Sequence, residues 1–178
     1  MLKLFLRQIQ LCYHKTMDES KVLGIYEKLA AVNIPVWIDG GWCVDALLGK
    51  QTREHPGLDI AVDRKHSSRL KELLLSWGYI ERPSSDSTKW NYVMNDDHGS
   101  VIDIHVFEFD DQNNKTYGIQ YPRDSLAGKG TIAGKTVQCI TPEWMFKFKT
   151  SYIPQEKDRR DVHALGKKFG FEVPAIHR

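Results

Sequence analysis

VWIDGGWCVDALLGKQTREHPGLDIAVD, from Val36 to Asp63, is the stretch that decides how this chain folds. An apolar strand breaks at Gly40 and Gly41 into a short helix, and after a loop a second strand carries an embedded carboxylate, Asp59. Adjacent glycines let a ligand approach the backbone because no Cβ intervenes. The helix they open presents free N–H groups and a positive dipole end to anions. A carboxylate on a neighbouring strand can hold the Mg²⁺ that accompanies a nucleoside triphosphate. Gly40 and Gly41 are therefore expected to cradle phosphate and Asp59 to bind metal. A tight strand-to-helix turn beside a solvated aspartate would satisfy the same letters.

Val22, Ile25, Tyr26, Leu29 and Ala30 fall at helical spacing between Asp18 and Val32, with Asp18 or Ser20 available as a cap. Pro35 helps to end that helix and starts the strand Val36–Asp39. Past Asp63, Ser67 or Ser68 can cap a helix carrying Leu70, Leu73, Leu74 and Trp77, with Gly78 suited to its stop. Trp90–Met94 and Val101–Phe109 read as strands joined by the turn-rich Asn95–Gly99, and Gly128–Ile140 as a second hairpin turning at Ala133–Gly134. Helical patterns at Pro142–Tyr152 and Glu156–Phe169 close the chain. Most of the aromatics Trp144, Phe146, Phe148 and Tyr152 are expected in the core, with some free to line a pocket.

The 178 residues suit one compact domain rather than two independent cores. A net charge of +2 with scattered basic residues gives no basis for nucleic-acid binding. The mixed cluster Lys157-Asp158-Arg159-Arg160-Asp161 reads most simply as a solvated helix face, or as a rim that orients substrate. Three cysteines, Cys12, Cys43 and Cys139, show no C-x-x-C spacing, and there is no export signal or membrane-length apolar run. Reduced thiols and a cytoplasmic location are expected, with no membrane partner.

Residues 35–63 resemble the nucleotidyltransferases that inactivate antibiotics, above all the small lincosamide adenylyltransferases and, more distantly, the aminoglycoside 2''-type enzymes. The likeness is carried by WIDGGWCVDALLG (Trp37–Gly49), TREH (Thr52–His55), LDI (Leu58–Ile60) and VIDIHVFEFD (Val101–Asp110). It extends from Met17 to about Pro174. It implies an α/β (α+β) polymerase-β-like fold, a mixed sheet with flanking helices and a helical C-terminal part. On that basis residues 1–16 form an N-terminal extension, free to pack as an extra helix, 17–140 the nucleotidyltransferase domain, and 141–178 helices packed on it. The family moves AMP from a Mg²⁺-bound nucleotide to a drug hydroxyl, using two carboxylates one residue apart and a third on an adjacent strand.

This chain departs from that pattern at Gly57, where the first carboxylate of D-x-D should stand. Alternate strand residues share a face, so Gly57 and Asp59 point the same way and only Asp59 can bind metal. Asp39, Asp63 and Glu54 are the nearest candidates to substitute. The third carboxylate falls at Asp103, inside an apolar strand where an unpaired charge is costly to bury, unless it faces the surface. The resemblance makes Asp103 a metal ligand with Asp59 and the base that activates the acceptor hydroxyl. His105, on the same face, could orient substrate or serve structure. Gly40, Gly41, Trp42 and Arg53 are assigned to the nucleotide, Arg53 by its planar fork for phosphate oxygens, with a salt bridge to Asp45 as the other reading. Lys147 and Lys149 could reach phosphate or be solvated.

The expected activity is transfer of a nucleoside monophosphate, AMP from ATP with Mg²⁺, to a hydroxyl of a small lincosamide- or aminoglycoside-like acceptor. Gly57 also leaves open a catalytically weakened nucleotide- or ligand-binding protein of the same fold. A macromolecular acceptor is a third possibility, disfavoured by the lack of a basic stripe.

Overall fold

A computed structural model describes residues 17–83 and 87–178. The N-terminal segment in which an extra helix was considered lies outside the described residues. Helix α1 (Glu19–Ala31) starts where Asp18 accepts a hydrogen bond from the Lys21 amide at 2.8 Å, and it buries Val22, Ile25 and Leu29. Strand β1 (Val36–Asp39) runs directly into α2 (Gly40–Leu48), which stops at Gly49 in the left-handed conformation, φ 77°. Strand β2 (Gly57–Asp63) runs directly into α3 (Arg64–Ser76). Four strands follow: β3 (Ile80–Arg82), β4 (Asn91–Asn95), β5 (Val101–Phe109) and β6 (Lys115–Gly118). The hairpin of β7 (Gly128–Ile132) and β8 (Lys135–Cys139) precedes α4 (Pro142–Thr150) and α5 (Glu156–Phe169).

The strands form one mixed sheet in the order β3-β4-β5-β2-β1-β8-β7, with β6 added to β5. Pairs β2–β5 and β1–β8 are parallel and the others antiparallel. β1, β2 and β5 bring Ile38, Leu58, Ile60, Val62, Ile102, Ile104 and Val106 to almost complete burial, so the centre of the sheet is also the centre of the core. Helices α4 and α5 pack on each other and on α2, which sets the C-terminal helices over the end of β1 where α2 begins.

Two local expectations change. Helix α3 is capped by Asp63, whose side chain accepts from the Lys65 amide at 3.0 Å, not by Ser67 or Ser68. With no loop after β2, the first polar residue able to reach the open amides of the helix is the last residue of the strand. That also removes Asp63 as a substitute at Gly57, because it stands at the opposite end of the same strand. Short strands β3 and β6 had no signal of their own: one is a three-residue edge and the other carries no apolar alternation. Among the described residues no helix is long and apolar enough to cross a membrane.

Candidate active site

Register aligns three carboxylates. Asp39 at the end of β1 lies opposite Asp59, and Asp59 lies opposite Asp103 on the parallel strand β5. The expected meeting of Asp59 and Asp103 across neighbouring strands is therefore present. Asp39 completes the row. Of the three residues offered as substitutes at Gly57, Glu54 is exposed and Asp63 caps α3, so only Asp39 reaches this place.

The two glycines are fixed by close approach. Gly40 has φ +58°, and a Cβ there would lie 2.0 Å from Asp59 Oδ2; a Cβ on Gly41 would lie 2.4 Å from His55 Nδ1 and 2.6 Å from Arg53 Nη2. The Asp59 carboxylate thus leans on the start of α2. The Gly40 amide is taken by Asp39 Oδ1 at 2.7 Å, which leaves the next amides of the first turn as the ones without an intrahelical acceptor. Trp42 is a correction in part: its indole is fully buried against the His55 ring, 4.7 Å between centroids, and does not line the cleft. Any contact it makes with a nucleotide is through its main-chain N–H.

His105 sits between two acids. Its Nδ1 is 3.2 Å from Asp39 Oδ2 and 3.0 Å from the Tyr121 hydroxyl, which itself donates to Asp39 Oδ2; its Nε2 is 3.6 Å from Asp103 Oδ1. Burial alone would lower the His105 pKa, but the adjacent carboxylates of Asp103 and Asp39 outweigh it and raise it to about 10. Burial pushes the Asp39 carboxyl up, yet His105, Tyr121 and the Gly40 amide together hold it below the usual range. Asp59 is raised, first by burial and then by the charge of Asp39. Tyr121 was missed in the sequence, since nothing local marks a tyrosine whose partner is 82 positions away.

The basic side chains are arranged by α5. Arg53 makes a two-pronged contact with Asp161, 2.9 Å on each side, and Lys149 lies 3.0 Å from Asp161 and 3.3 Å from Asp158. Both aspartates are buried, so the solvated-face reading of the Lys157–Asp161 cluster holds for Lys157 and Arg160 and fails for its acids and for Arg159, which donates to the carbonyls of Ile176 and Arg178. An amphipathic helix shows the same letters whether its acids face water or a neighbouring helix's lysine. Arg53 is not paired with Asp45. That residue receives the Thr52 amide at 3.0 Å and contacts His55 Nε2 at 2.5 Å. Lys147 packs over the Trp144 ring at 4.1 Å, leaving Lys149 as the lysine of α4 that lines the cleft.

Two cavities meet here. The larger, about 450 Å³, is walled by Gly40, Gly41, Arg53, Asp59, Asp103 and Lys149, with the exposed Tyr152 and Ile153 at its edge. The second, about 430 Å³, is more apolar, with Ile119, Tyr121, Met145 and Phe148 beside Asp39 and His105. They share Gly40, Lys149 and Tyr152. A polar, glycine-floored chamber lined by Asp59 and Asp103 therefore opens next to an aromatic one lined by Asp39 and His105, the two meeting at Gly40, Lys149 and Tyr152.

The residues fit a divalent cation. Asp59, Asp103 and His105 each offer a donor atom within 4.8 Å of the other two, and Asp103 Oδ1 is buried with no hydrogen-bond partner, as 3.6 Å lies outside hydrogen-bond range. Such an orphaned oxygen is what a cation would satisfy.

Comparison with known proteins agrees with this geometry. The lincosamide resistance protein of Staphylococcus haemolyticus is 28% identical over 85% of this chain and 96% of its own length. The 2''-aminoglycoside nucleotidyltransferase of Escherichia coli is 29% identical over 78% of this chain and 79% of its own. The crystal structure of the lincosamide antibiotic adenylyltransferase LnuA, lincomycin-bound, superposes with a TM-score of 0.73 at 25% identity, covering 84% of this chain and 97% of that one. A family model described as aminoglycoside-2''-adenylyltransferase matches residues 21–165. With four-fifths of its length inside that match, the carboxylate row on its sheet and the glycine helix start beside it, the chain belongs to the aminoglycoside-2''-adenylyltransferase family of nucleotidyltransferases.

Proposed function

We propose that this enzyme transfers a nucleoside monophosphate, AMP from ATP, to a hydroxyl of a small antibiotic such as a lincosamide or an aminoglycoside. The observation that carries the reading is the Asp59–Asp103 pair in register opposite the Gly40–Gly41 helix start, lining the polar cavity that adjoins the aromatic one at Gly40, Lys149 and Tyr152. The polar cavity receives the triphosphate, with the first-turn amides of α2, Arg53 and Lys149 as its donors. The aromatic cavity receives the acceptor.

Asp103 takes the proton of the acceptor hydroxyl as that oxygen attacks the α-phosphorus, and pyrophosphate leaves. His105, hydrogen-bonded at Nδ1 to Asp39 and Tyr121, fixes the flank of Asp103. Mg²⁺, the ion implied by the family resemblance, would be held by Asp59 and Asp103; when bound it neutralises charge on the phosphoryl oxygens. The side chains of Ile119, Tyr121, Met145 and Phe148 exclude water from the attacking position.

The test is incubation with α-labelled ATP, a divalent ion and a panel of lincosamides and aminoglycosides, followed by separation of labelled products. Transfer to at least one member is expected, and Asp103→Asn should lower the rate by about 10²–10⁴-fold while nucleotide binding persists. Saturable ATP binding with no labelled product from any acceptor would sink the transfer reading and leave a binding protein.

A further inference from the structure

We propose that His105 supplies, through Nε2, the third protein ligand of a divalent-ion site with Asp59 and Asp103, replacing the carboxylate absent at Gly57, so that the site favours first-row transition ions such as Mn²⁺ over Mg²⁺. This deepens the transfer reading of the same cleft and rests on it for what the ion is used for.

Five observations lead there. The three donor atoms already lie within 4.8 Å of one another, with Nε2 3.6 Å from Asp103 Oδ1. The opposite ring nitrogen is held by Asp39 at 3.2 Å and Tyr121 at 3.0 Å. An outer carboxylate on one imidazole nitrogen is the usual support of a metal-bound histidine: it fixes the ring and turns the other nitrogen toward the ion. An ion there takes the position of the Nε2 proton.

The remaining three observations concern the open acceptor on Asp103 and what else could serve. Asp103 Oδ1 is buried without a hydrogen bond, its contact to His105 Nε2 being 3.6 Å long, and coordination would fill that place. Position 57 offers no donor, and a Cβ there would fit tightly, 3.0 Å from both Cβ and O of Val101. Asp39, although in the row, accepts from the Gly40 amide, the Tyr121 hydroxyl and His105, so its lone pairs are already directed elsewhere. His105 is left as the donor that points inward. Replacing an oxygen donor by imidazole matters because Mg²⁺ selects oxygen ligands in near-ideal octahedra, whereas first-row transition ions accept nitrogen readily.

The experiment uses the full chain loaded with Mn²⁺, with and without ATP, and reads electron spin-echo modulation from nuclei bonded to the ion. Protein grown with ¹⁵N-histidine is compared with unlabelled protein, so that adenine nitrogens are not mistaken for the side chain. A nitrogen coupling that changes with the histidine label is expected, and it should vanish in His105→Gln. That variant should bind Mn²⁺ at least about tenfold more weakly, with a smaller loss for Mg²⁺. Bound Mn²⁺ without a histidine coupling overturns the proposal, and this wild-type readout does not depend on the variant folding. Unchanged Mn²⁺ affinity in a folded His105→Gln protein overturns it equally. The two readings separate cleanly: a histidine coupling with no transfer to any acceptor removes the activity and keeps the ligand, while transfer without the coupling does the reverse.

Discussion

Alanine at position 40 would put a methyl group 2.0 Å from Asp59 Oδ2 on a backbone with φ +58°. A left-handed conformation costs a residue with a Cβ about 1–2 kcal/mol, and the displaced carboxylate adds to it. Gly40→Ala is thus expected to lower the urea midpoint modestly and to abolish transfer. Full activity in that variant would show that Asp59 need not rest on the helix start. The nearness of Gly40, Gly41, Asp59 and Asp103 was readable because the glycines and acids interrupt apolar runs and the family resemblance sets them at one site. Tyr121 and Asp39 were not readable in their roles. Their hydrogen bond joins the last residue of β1 to a residue 82 positions on, and no periodicity encodes that contact.

At the level of elements, α1, β1, β5 and α5 follow from cap residues and periodicity, whereas the working face of α5 does not. Asp161 faces inward, 2% exposed, and ties Arg53 and Lys149 together; Asp158 adds a contact to Lys149 and accepts from the Tyr152 hydroxyl at 2.9 Å. Removing one partner of a buried charge pair leaves the other uncompensated and costs about 3–5 kcal/mol. Asp161→Asn should therefore fall in that range by equilibrium urea unfolding. A change under about 0.5 kcal/mol would mean that both cations relax to solvent without loss. Sequence could not separate this helix from a solvated one, because burial of its acids depends on where α4 and the Arg53 loop come to rest.

For the molecule as a whole, the turn between β4 and β5 is tied to α1. Asp96 accepts from the Ser100 amide at 2.7 Å and from Lys21 Nζ at 3.1 Å. Burial would raise its pKa, but the hydrogen bonds from Ser100 and Lys21 prevail and bring it to about 2. A folded-state pKa below the unfolded value of ~3.9 means that the unfolded chain binds more protons in acid. The stabilisation is complete above that value and disappears as pH falls toward 2. The thermal midpoint of the wild type should exceed that of Asp96→Asn at pH ~5 and converge with it near pH ~2. A gap independent of pH would disprove the assignment.

The larger cavity is lined by three cationic side chains, Arg53, Lys149 and Lys157, and three anionic ones, Asp59, Asp103 and Asp158. Formal neutrality gives an incoming polyanion no deep electrostatic well to fall into. A bare triphosphate meets as much repulsion as attraction, whereas a chelate already shielded by its own counterion meets neither in excess. Affinity should consequently vary little with ionic strength and collapse when the solution is stripped of divalent ions.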